Sequence, residues 1–304
     1  MNRRPLGHSG LDVSVISFGC MSLGSDQPHN TRLIHEALDL GINTFDTADL
    51  YQHGENEISL GKAIAGRRDS VIIATKAGNQ WRPDGSGWDW NASKAYIKSA
   101  VTASLKRLGT DFIDLYQLHG GTLDDPLDET REAFEDLVQA GSIRHYGISS
   151  IRPTVIDAWT RTSGITSLMT QYSLLDRRPE EQSLGIVQDA GIGVIVRGAV
   201  AQGMLATKAP AGYLDHDSSS VQAAQAILKT VGEAGESVAE TALRFCLAHP
   251  AVTTVACGIR TRDQLLENAA AADKPPLPET ALTSLRTAVP ARVYPNHRLT
   301  GDGL

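Results

Sequence analysis

Residues 42–64 read INTFDTADLYQHGENEISLGKAI and join a short apolar strand to a polar loop and a helix. The strand ends in an acid, Asp46, and Tyr51 follows in the loop. From Asn56 onward the apolar residues recur at helical spacing. An acid at the carboxyl end of a strand, with a tyrosine just beyond, is typical of an active site in a protein of alternating strands and helices. Such proteins often carry polar groups at strand ends without any catalytic role, so this stretch needs support from the rest of the chain.

The same strand–loop–helix unit recurs along the chain. An apparent hairpin over residues 2–14 comes first, and eight alternating units follow without a Pro/Gly/Ser-rich linker. This pattern predicts an α/β fold, a single (β/α)8 TIM barrel with an N-terminal β-hairpin and extra helices near the C-terminus, forming one domain over residues 1–304. The predicted strands cover residues 15–20, 42–45, 71–75, 112–118, 143–148, 167–170, 192–196 and 253–257. The predicted helices include 31–40, 93–108, 153–163, 221–233 and 237–249, and Asp125-Pro126 reads as the cap of a helix to Ala140.

Composition excludes several classes of function. The net charge is −7, from 28 Lys and Arg against 35 Asp and Glu, which argues against nucleic acid or an anionic membrane as partner. No apolar run is long enough to span a bilayer, and no apolar segment follows the basic amino terminus. The three cysteines have no CxxC spacing, which favours free thiols in the cytoplasm. The sequence does not indicate the oligomeric state.

Three polar residues close consecutive predicted strands: Asp46, Lys76 and His119. Neighbouring parallel strands lie about 4.8 Å apart, so these side chains and Tyr51 should meet in the barrel mouth. An ammonium beside a phenol lowers the phenol pKa, and a carboxylate keeps that ammonium charged. The histidine can donate to a carbonyl oxygen. Each residue alone has an ordinary structural explanation, but their joint placement predicts proton donation to an oxygen that gains charge.

No competing motif is present. There is no HExxH or GxxxxGK[ST], and the cysteines have no zinc-site spacing, so we expect no metal site. Gly191 and Gly193 lack the third glycine of a Rossmann fingerprint.

The chain resembles the aldo-keto reductases, and among them the bacterial members related to the potassium-channel β-subunits. The similar segments are FDTADLYQHGENEISLGKAI, IIATKAG, SLKRLGTDFIDLYQLH, GISS, QYSLLDRRPE, VRGAVAQGMLATK and CGIRTRDQLLENAAA, which follow the family order from about Pro5 to Asp273. The resemblance implies that Asp46, Tyr51, Lys76 and His119 form a catalytic tetrad. It also implies NADPH as cofactor and an aldehyde or ketone as substrate.

The resemblance also assigns cofactor contacts. Ser149 matches a serine that binds the nicotinamide carboxamide, and Tyr172 an aromatic residue that stacks on the ring. Met169 stands where the family has a carboxamide-binding glutamine, and Gln171 is a candidate to replace it. Arg260, with Arg262 as a possible helper, matches the 2′-phosphate site and predicts a preference for NADPH over NADH. The full predicted set is Gly19, Met21, Ser149, Ser150, Gln171, Tyr172, Arg197, Gly198, Gln202, Gly203, Leu205, Gly258, Arg260, Gln264, Glu267 and Asn268.

The loop after the third predicted strand contains Trp81, Trp88 and Trp90, which either line a substrate pocket or pack the loop onto the barrel. Tyr294, His297 and Arg298 near the C-terminus either close the mouth or hang free. Two other functions remain open. One is a redox-sensing module that binds the cofactor for a partner protein with little turnover, and the other is a lyase in which Lys76 forms a Schiff base.

Overall fold

The computed structural model describes residues 1–300, which form twelve strands and ten α-helices. The strands are β1 (Arg3–Pro5), β2 (Asp12–Ser14), β3 (Ile16–Gly19), β4 (Thr44–Asp46), β5 (Ile72–Ala77), β6 (Asn79–Trp81), β7 (Trp88–Trp90), β8 (Ile113–Leu118), β9 (Ile143–Ser149), β10 (Ser167–Gln171), β11 (Gly193–Arg197) and β12 (Val252–Gly258). The helices are α1 (Gln27–Asp39), α2 (Glu55–Ala63), α3 (Lys94–Leu108), α4 (Leu127–Gln139), α5 (Pro153–Thr162), α6 (Ser183–Asp189), α7 (Ser218–Val231), α8 (Val238–Leu247), α9 (Arg262–Asp273) and α10 (Glu279–Ala288).

Eight of these strands close into a parallel barrel in the order β3-β4-β5-β8-β9-β10-β11-β12, with β12 paired to β3. Most residues of these strands are buried on both faces, as expected where helices cover the outside of a parallel sheet. All eight carboxyl ends therefore open at the same rim. This arrangement confirms the predicted (β/α)8 fold.

The N-terminal hairpin closes the opposite end of the barrel. β1 pairs with β2, and Leu6 and Val13 join a buried cluster of lumen residues from four barrel strands: Ala74, Leu115, Met169 and Ile195. Gly7 has a φ of +53°, and a Cβ there would lie 2.7 Å from the carbonyl oxygen of Thr166. Only glycine allows the turn to seat this closely against the strand ends.

Local capping signals in the sequence account for several helix ends. Ser237 and Glu240 form both hydrogen bonds of a capping box at the start of α8. Thr261 accepts from the backbone N–H of Gln264 at the start of α9. Gly109 takes the left-handed conformation that ends α3.

Three helix starts differ from the prediction. α7 begins at Ser218 rather than at residue 221, because Asp217 caps the backbone N–H of Ser220. α1 begins at Gln27 rather than at residue 31, because Asp26 caps the backbone N–H of His29. Asp125 does not cap α4. Its carboxylate accepts from the Thr122 backbone N–H at 2.7 Å and from the Trp90 indole N–H at 2.7 Å. Competition from these two donors explains the error.

The tail after α10 is docked on the barrel instead of hanging free. Leu299 and the side chain of Gln182 exchange two hydrogen bonds of 3.0 Å each. Tyr294 is buried beneath the guanidinium of Arg178, and Arg298 pairs with Glu181. Among residues 1–300, no helix has the length and apolar character needed to cross a membrane.

Candidate active site

The barrel rim brings together the four residues predicted to be catalytic. Asp46 is the last residue of β4, Lys76 is the second-last of β5, and His119 directly follows β8. Tyr51 lies in the loop after β4, and its ring meets the His119 ring edge-on at 5.8 Å between centroids. The convergence follows from strand order, because β4, β5 and β8 are consecutive neighbours in the barrel.

Lys76 is the centre of this group, and its side chain is 0% exposed. Its ammonium donates to Asp46 Oδ2 at 2.9 Å, to the Thr47 carbonyl oxygen at 2.7 Å and to the Tyr51 hydroxyl at 3.4 Å. Burial alone would lower the pKa of Lys76, but the charge of Asp46 and the phenol of Tyr51 raise it above its ordinary value. The side chain therefore stays an ammonium.

Opposing effects act on the pKa of the Tyr51 phenol. Burial raises its pKa above the ordinary value, Lys76 pulls the pKa down, and the negative charge of Asp46 raises it again. The net direction is upward, so the lysine moderates the effect of burial without reversing it. The phenol consequently keeps its proton at neutral pH and is available as an acid.

His119 is neutral. Burial lowers its pKa to about 3, and the positive charges of Lys76 and Arg197 act in the same direction. Its Nδ1 is buried without a hydrogen-bond partner among the described residues. A neutral imidazole has one donor and one acceptor nitrogen, so the ring can hydrogen-bond a ligand that enters the mouth.

The backbone just after Tyr51 is strained. Gln52 and His53 have φ values of 52° and 56°, in the left-handed region, and Gly54 follows at 87°. Such conformations cost of order 1–3 kcal/mol for each non-glycine residue and persist only where neighbouring groups hold them. The Gln52 amide donates to the Leu23 carbonyl oxygen at 2.8 Å.

Sequence reasoning missed a buried network behind this loop. Glu57, which is 0% exposed, accepts from Thr75 Oγ1 at 2.6 Å and from Arg107 Nε at 2.6 Å. Asp49 accepts from the Tyr96 hydroxyl at 3.2 Å, and burial with the nearby Glu57 charge raises the pKa of Asp49 to about 7. The partners lie about 18 to 50 residues away, so no local pattern reveals the pairs.

Two of the predicted cofactor residues at the end of β9 differ in their contacts. Ser149 is buried, and within residues 1–300 its hydroxyl makes no hydrogen bond, so it is available to a ligand. The Ser150 hydroxyl accepts from the backbone N–H of Arg152 at 3.2 Å, which fixes the turn into α5.

Tyr172, which the resemblance predicts to stack on the nicotinamide, points away from the rim in this structure. Its ring is 1% exposed and packs on Phe245 at 5.9 Å and edge-on to His249 at 5.8 Å. Its hydroxyl donates to Glu180 at 2.7 Å. A ring enclosed between the barrel and α8 has no free face, because the residue after β10 points outward into the core rather than into the mouth.

Gln171 is engaged with its own neighbours. Its amide nitrogen donates to Asp176 at 2.7 Å and to the Tyr213 hydroxyl at 3.3 Å, and its oxygen accepts from Arg197 at 2.9 Å. Both amide protons are thus in use. Met169 fills the barrel lumen. The Gln171 network instead orients Arg197, whose charge acts on Asp46, Tyr51 and His119.

Glycines at three strand ends bring backbone close to the rim. Gly19 pairs with Gly258, where a Cβ would meet Ser22 Oγ at 2.6 Å, and Gly198 has a φ of +73°. The loop beyond Gly198 contains the left-handed residues Gln202 and Gly203. Of the other residues predicted here, Met21 is exposed and Leu205 is buried.

The predicted 2′-phosphate segment forms the start of α9. Arg260 has an exposed side chain that makes no ion pair within the described part of the chain, and its backbone N–H donates to Gln264 Oε1 at 2.9 Å. Arg262 instead pairs with Glu36 at 2.7 Å. Glu267 and Asn268 follow on the same helix.

The three tryptophans belong to a hairpin that the sequence did not predict. β6 and β7 pair so that Trp81 faces Trp88 across the strands. Trp81 donates to the Leu50 carbonyl oxygen, and Trp90 anchors the hairpin through Asp125. Trp88 is 47% exposed, and the predicted role of the three tryptophans in a substrate pocket stays a prediction.

Comparison with known proteins agrees with this geometry. The family model described as "Aldo/keto reductase family" matches residues 15–289. An uncharacterized oxidoreductase, YqkF, of Bacillus subtilis is 46% identical over 98% of this chain and 100% of its own length. The Bacillus subtilis aldo-keto reductase YhdN is 31% identical over 87% of each chain.

Solved structures give the same result. The holo form of aldo-keto reductase AKR11C1 from Bacillus halodurans is 49% identical, with a TM-score of 0.93 over 98% of this chain and 100% of its own. Its apo form gives a TM-score of 0.84 at 46% identity over the same shares. The chain therefore belongs to the aldo/keto reductase family and is an NAD(P)-dependent oxidoreductase that acts on carbonyl groups.

Proposed function

We propose that this protein uses NADPH to reduce aldehydes or ketones to alcohols, with Tyr51 as the general acid. The observation that carries the proposal is the Lys76 ammonium, which contacts both the Asp46 carboxylate and the Tyr51 hydroxyl in a buried site. A bound nicotinamide supplies the hydride that adds to the carbonyl carbon. As that bond forms, the C=O π electrons move to oxygen, which then needs a proton.

The residues of the chain handle that proton. His119, neutral and with a free ring nitrogen, donates to the carbonyl oxygen and fixes its position, which requires the tautomer protonated on the nitrogen that faces it. Tyr51 transfers its hydroxyl proton to the same oxygen. The resulting phenolate lies beside the Lys76 ammonium, 3.4 Å away, and is stabilised by its charge.

Several features support a nicotinamide cofactor. His119 Nδ1 and the Ser149 hydroxyl are polar groups near the rim without partners in residues 1–300. A similar structure, that of AKR11C1, is known in a holo form as well as an apo form. Arg260, exposed at the start of α9 and outside any ion pair of the described residues, favours the 2′-phosphate of NADPH. We place this single-domain enzyme in the cytoplasm, since its three cysteines are free and buried.

The alternatives fit the site less well. A Schiff-base lysine needs a neutral amine, whereas the Asp46 carboxylate raises the pKa of Lys76 and keeps it charged. A redox-sensing module needs no proton donor, whereas this site contains one, the hydroxyl of Tyr51. The test is a multiple-turnover assay with NADPH and a simple aldehyde. Continued alcohol formation beyond one equivalent supports the enzyme, and a single turnover that stops would contradict it.

A further inference from the structure

Trp81 contacts the chain on both sides of Tyr51. Its indole N–H donates to the carbonyl oxygen of Leu50, the residue before Tyr51, at 3.2 Å. Its ring stacks on His53, two residues after Tyr51, with 3.7 Å between centroids and an angle of 24° between planes. One side chain from the β6–β7 hairpin thus spans the segment that carries the proposed acid.

This segment needs external support. Gln52 and His53 are left-handed, a conformation that non-glycine residues rarely adopt and that their neighbours must maintain. The Tyr51 backbone N–H makes only a turn hydrogen bond of 3.2 Å to Ala48. Gln52 makes two further hydrogen bonds: its side-chain amide donates to the Leu23 carbonyl oxygen, and its own carbonyl oxygen accepts from the Glu55 backbone N–H.

Small displacements of this segment matter for the chemistry. The Tyr51 hydroxyl is 3.4 Å from the Lys76 ammonium, at the long end of hydrogen-bond reach. Lys76 itself is fixed by Asp46 and Thr47, so it cannot follow a moving phenol. A misplacement of about 1 Å in such a group can cost about 100-fold in rate.

We propose that Trp81 is a positioning residue for the reaction, holding the Leu50–His53 segment so that the Tyr51 hydroxyl stays within reach of Lys76 and of the substrate oxygen. This role rests on the proposed function of Tyr51. It differs from a substrate contact, because it acts through the indole N–H and the ring face that contact the Leu50–His53 segment.

The experiment compares three variants with the wild type. Trp81→Ala removes both contacts and should lower kcat for a simple aldehyde by about 100-fold with little change in KM. Trp81→Phe keeps a ring for His53 but loses the N–H, and a smaller loss is expected. Arg82→Ala is the matched control: it breaks the exposed Arg82–Asp89 pair in the same hairpin, without touching the catalytic loop, and should keep kcat. NADPH binding and thermal unfolding show whether each variant is folded.

The same substitution in a Tyr51→Phe background separates positioning from other effects. If Trp81 acts through the phenol, Trp81→Ala should add less than about threefold to the loss already caused by Tyr51→Phe. Reduction of a quinone gives a second measurement, because its conjugated product anion needs little proton donation. In quinone reduction, Trp81→Ala should lower kcat by no more than Tyr51→Phe does.

Three results would overturn the inference: a rise in KM at constant kcat, an equal loss in both Tyr51 backgrounds, or a loss in Arg82→Ala as large as in Trp81→Ala. The proposed function fails separately. If Tyr51→Phe keeps full aldehyde turnover, the acid assignment is wrong whatever the Trp81 variants do.

Discussion

The ammonium of Lys76 lies 2.8 Å from one carboxylate oxygen of Asp46 and 2.9 Å from the other. The pair is buried, so water cannot replace either partner. Removing one member of such a pair leaves an uncompensated charge, which typically costs about 3–5 kcal/mol. Substitutions in this site therefore change stability as well as chemistry, and both must be measured.

Replacing Tyr51 by Phe should remove the proton donor with little change in volume. General acid catalysis contributes about 10²- to 10⁴-fold, so kcat for aldehyde reduction should fall by at least about 10²-fold. The dissociation constant for NADPH, measured by fluorescence titration, should stay close to the wild-type value. Near-normal turnover would exclude Tyr51 as the acid.

Lys76→Met should shift the alkaline limb of the kcat–pH profile to higher pH. Reduction needs protonated Tyr51, and activity is lost as the pH rises through the phenol pKa. Lys76 lowers that pKa against the effect of burial. Without the ammonium the phenol pKa rises further above its ordinary value of about 10, rather than returning to it.

The control for this experiment is Asp46→Asn/Lys76→Met, which removes both charges. It should unfold at a higher temperature than Lys76→Met, because no buried carboxylate is left unpaired. An alkaline limb that stays in place in Lys76→Met would show that another group controls the Tyr51 proton.

The fold was predictable because its signals are local, whereas part of the site depends on distant contacts. Ser237 with Glu240, and Gly109, act within one helix turn, and both behave as the sequence indicates. Asp125 is predicted to be a cap on equally local evidence, but its carboxylate accepts a hydrogen bond from the indole N–H of Trp90, 35 residues away. The direction of Tyr172 depends on packing against α8, and a resemblance between segments does not determine it.

Asp49→Asn should make stability less dependent on pH. Burial and the nearby Glu57 charge hold the pKa of Asp49 at about 7 in the folded protein, against an ordinary value of 3.8, so the folded state binds this proton more tightly than the unfolded state does. Stability from this group is therefore present at low pH and is lost as the pH rises from about 4 to about 7. At about 1.4 kcal/mol per pKa unit, the change is of the order of 4 kcal/mol.

The measurement is the free energy of unfolding by urea between about pH 4 and 8, an interval that includes both the ordinary pKa of 3.8 and the folded-state pKa of about 7. Asn keeps an oxygen that can accept from Tyr96. The variant should gain stability relative to the wild type as the pH rises. Parallel curves for the two proteins would mean that the Asp49 carboxyl ionises without cost.

Arg260→Ala should reduce the preference for NADPH over NADH. A charge-assisted contact with the 2′-phosphate is worth roughly 1.5–3 kcal/mol, so the wild type should prefer NADPH by at least about tenfold. The variant should bind NADPH more weakly and NADH about equally. Arg262→Ala is the matched control, since Glu36 already holds that guanidinium, and it should keep the wild-type ratio of dissociation constants. Equal wild-type affinity for both cofactors would contradict the assignment.

The N-terminal hairpin, which closes the end of the barrel opposite to the rim, also determines where ligands enter and leave. Leu6 and Val13 fill the lumen together with Met169, so this end of the barrel is closed and ligands enter at the rim formed by the carboxyl ends of the strands. Aldehyde, alcohol and water must all pass through the open barrel rim above Lys76. A bound alcohol product blocks the binding of the next aldehyde. Accumulated product should therefore slow the reaction by competing with the substrate.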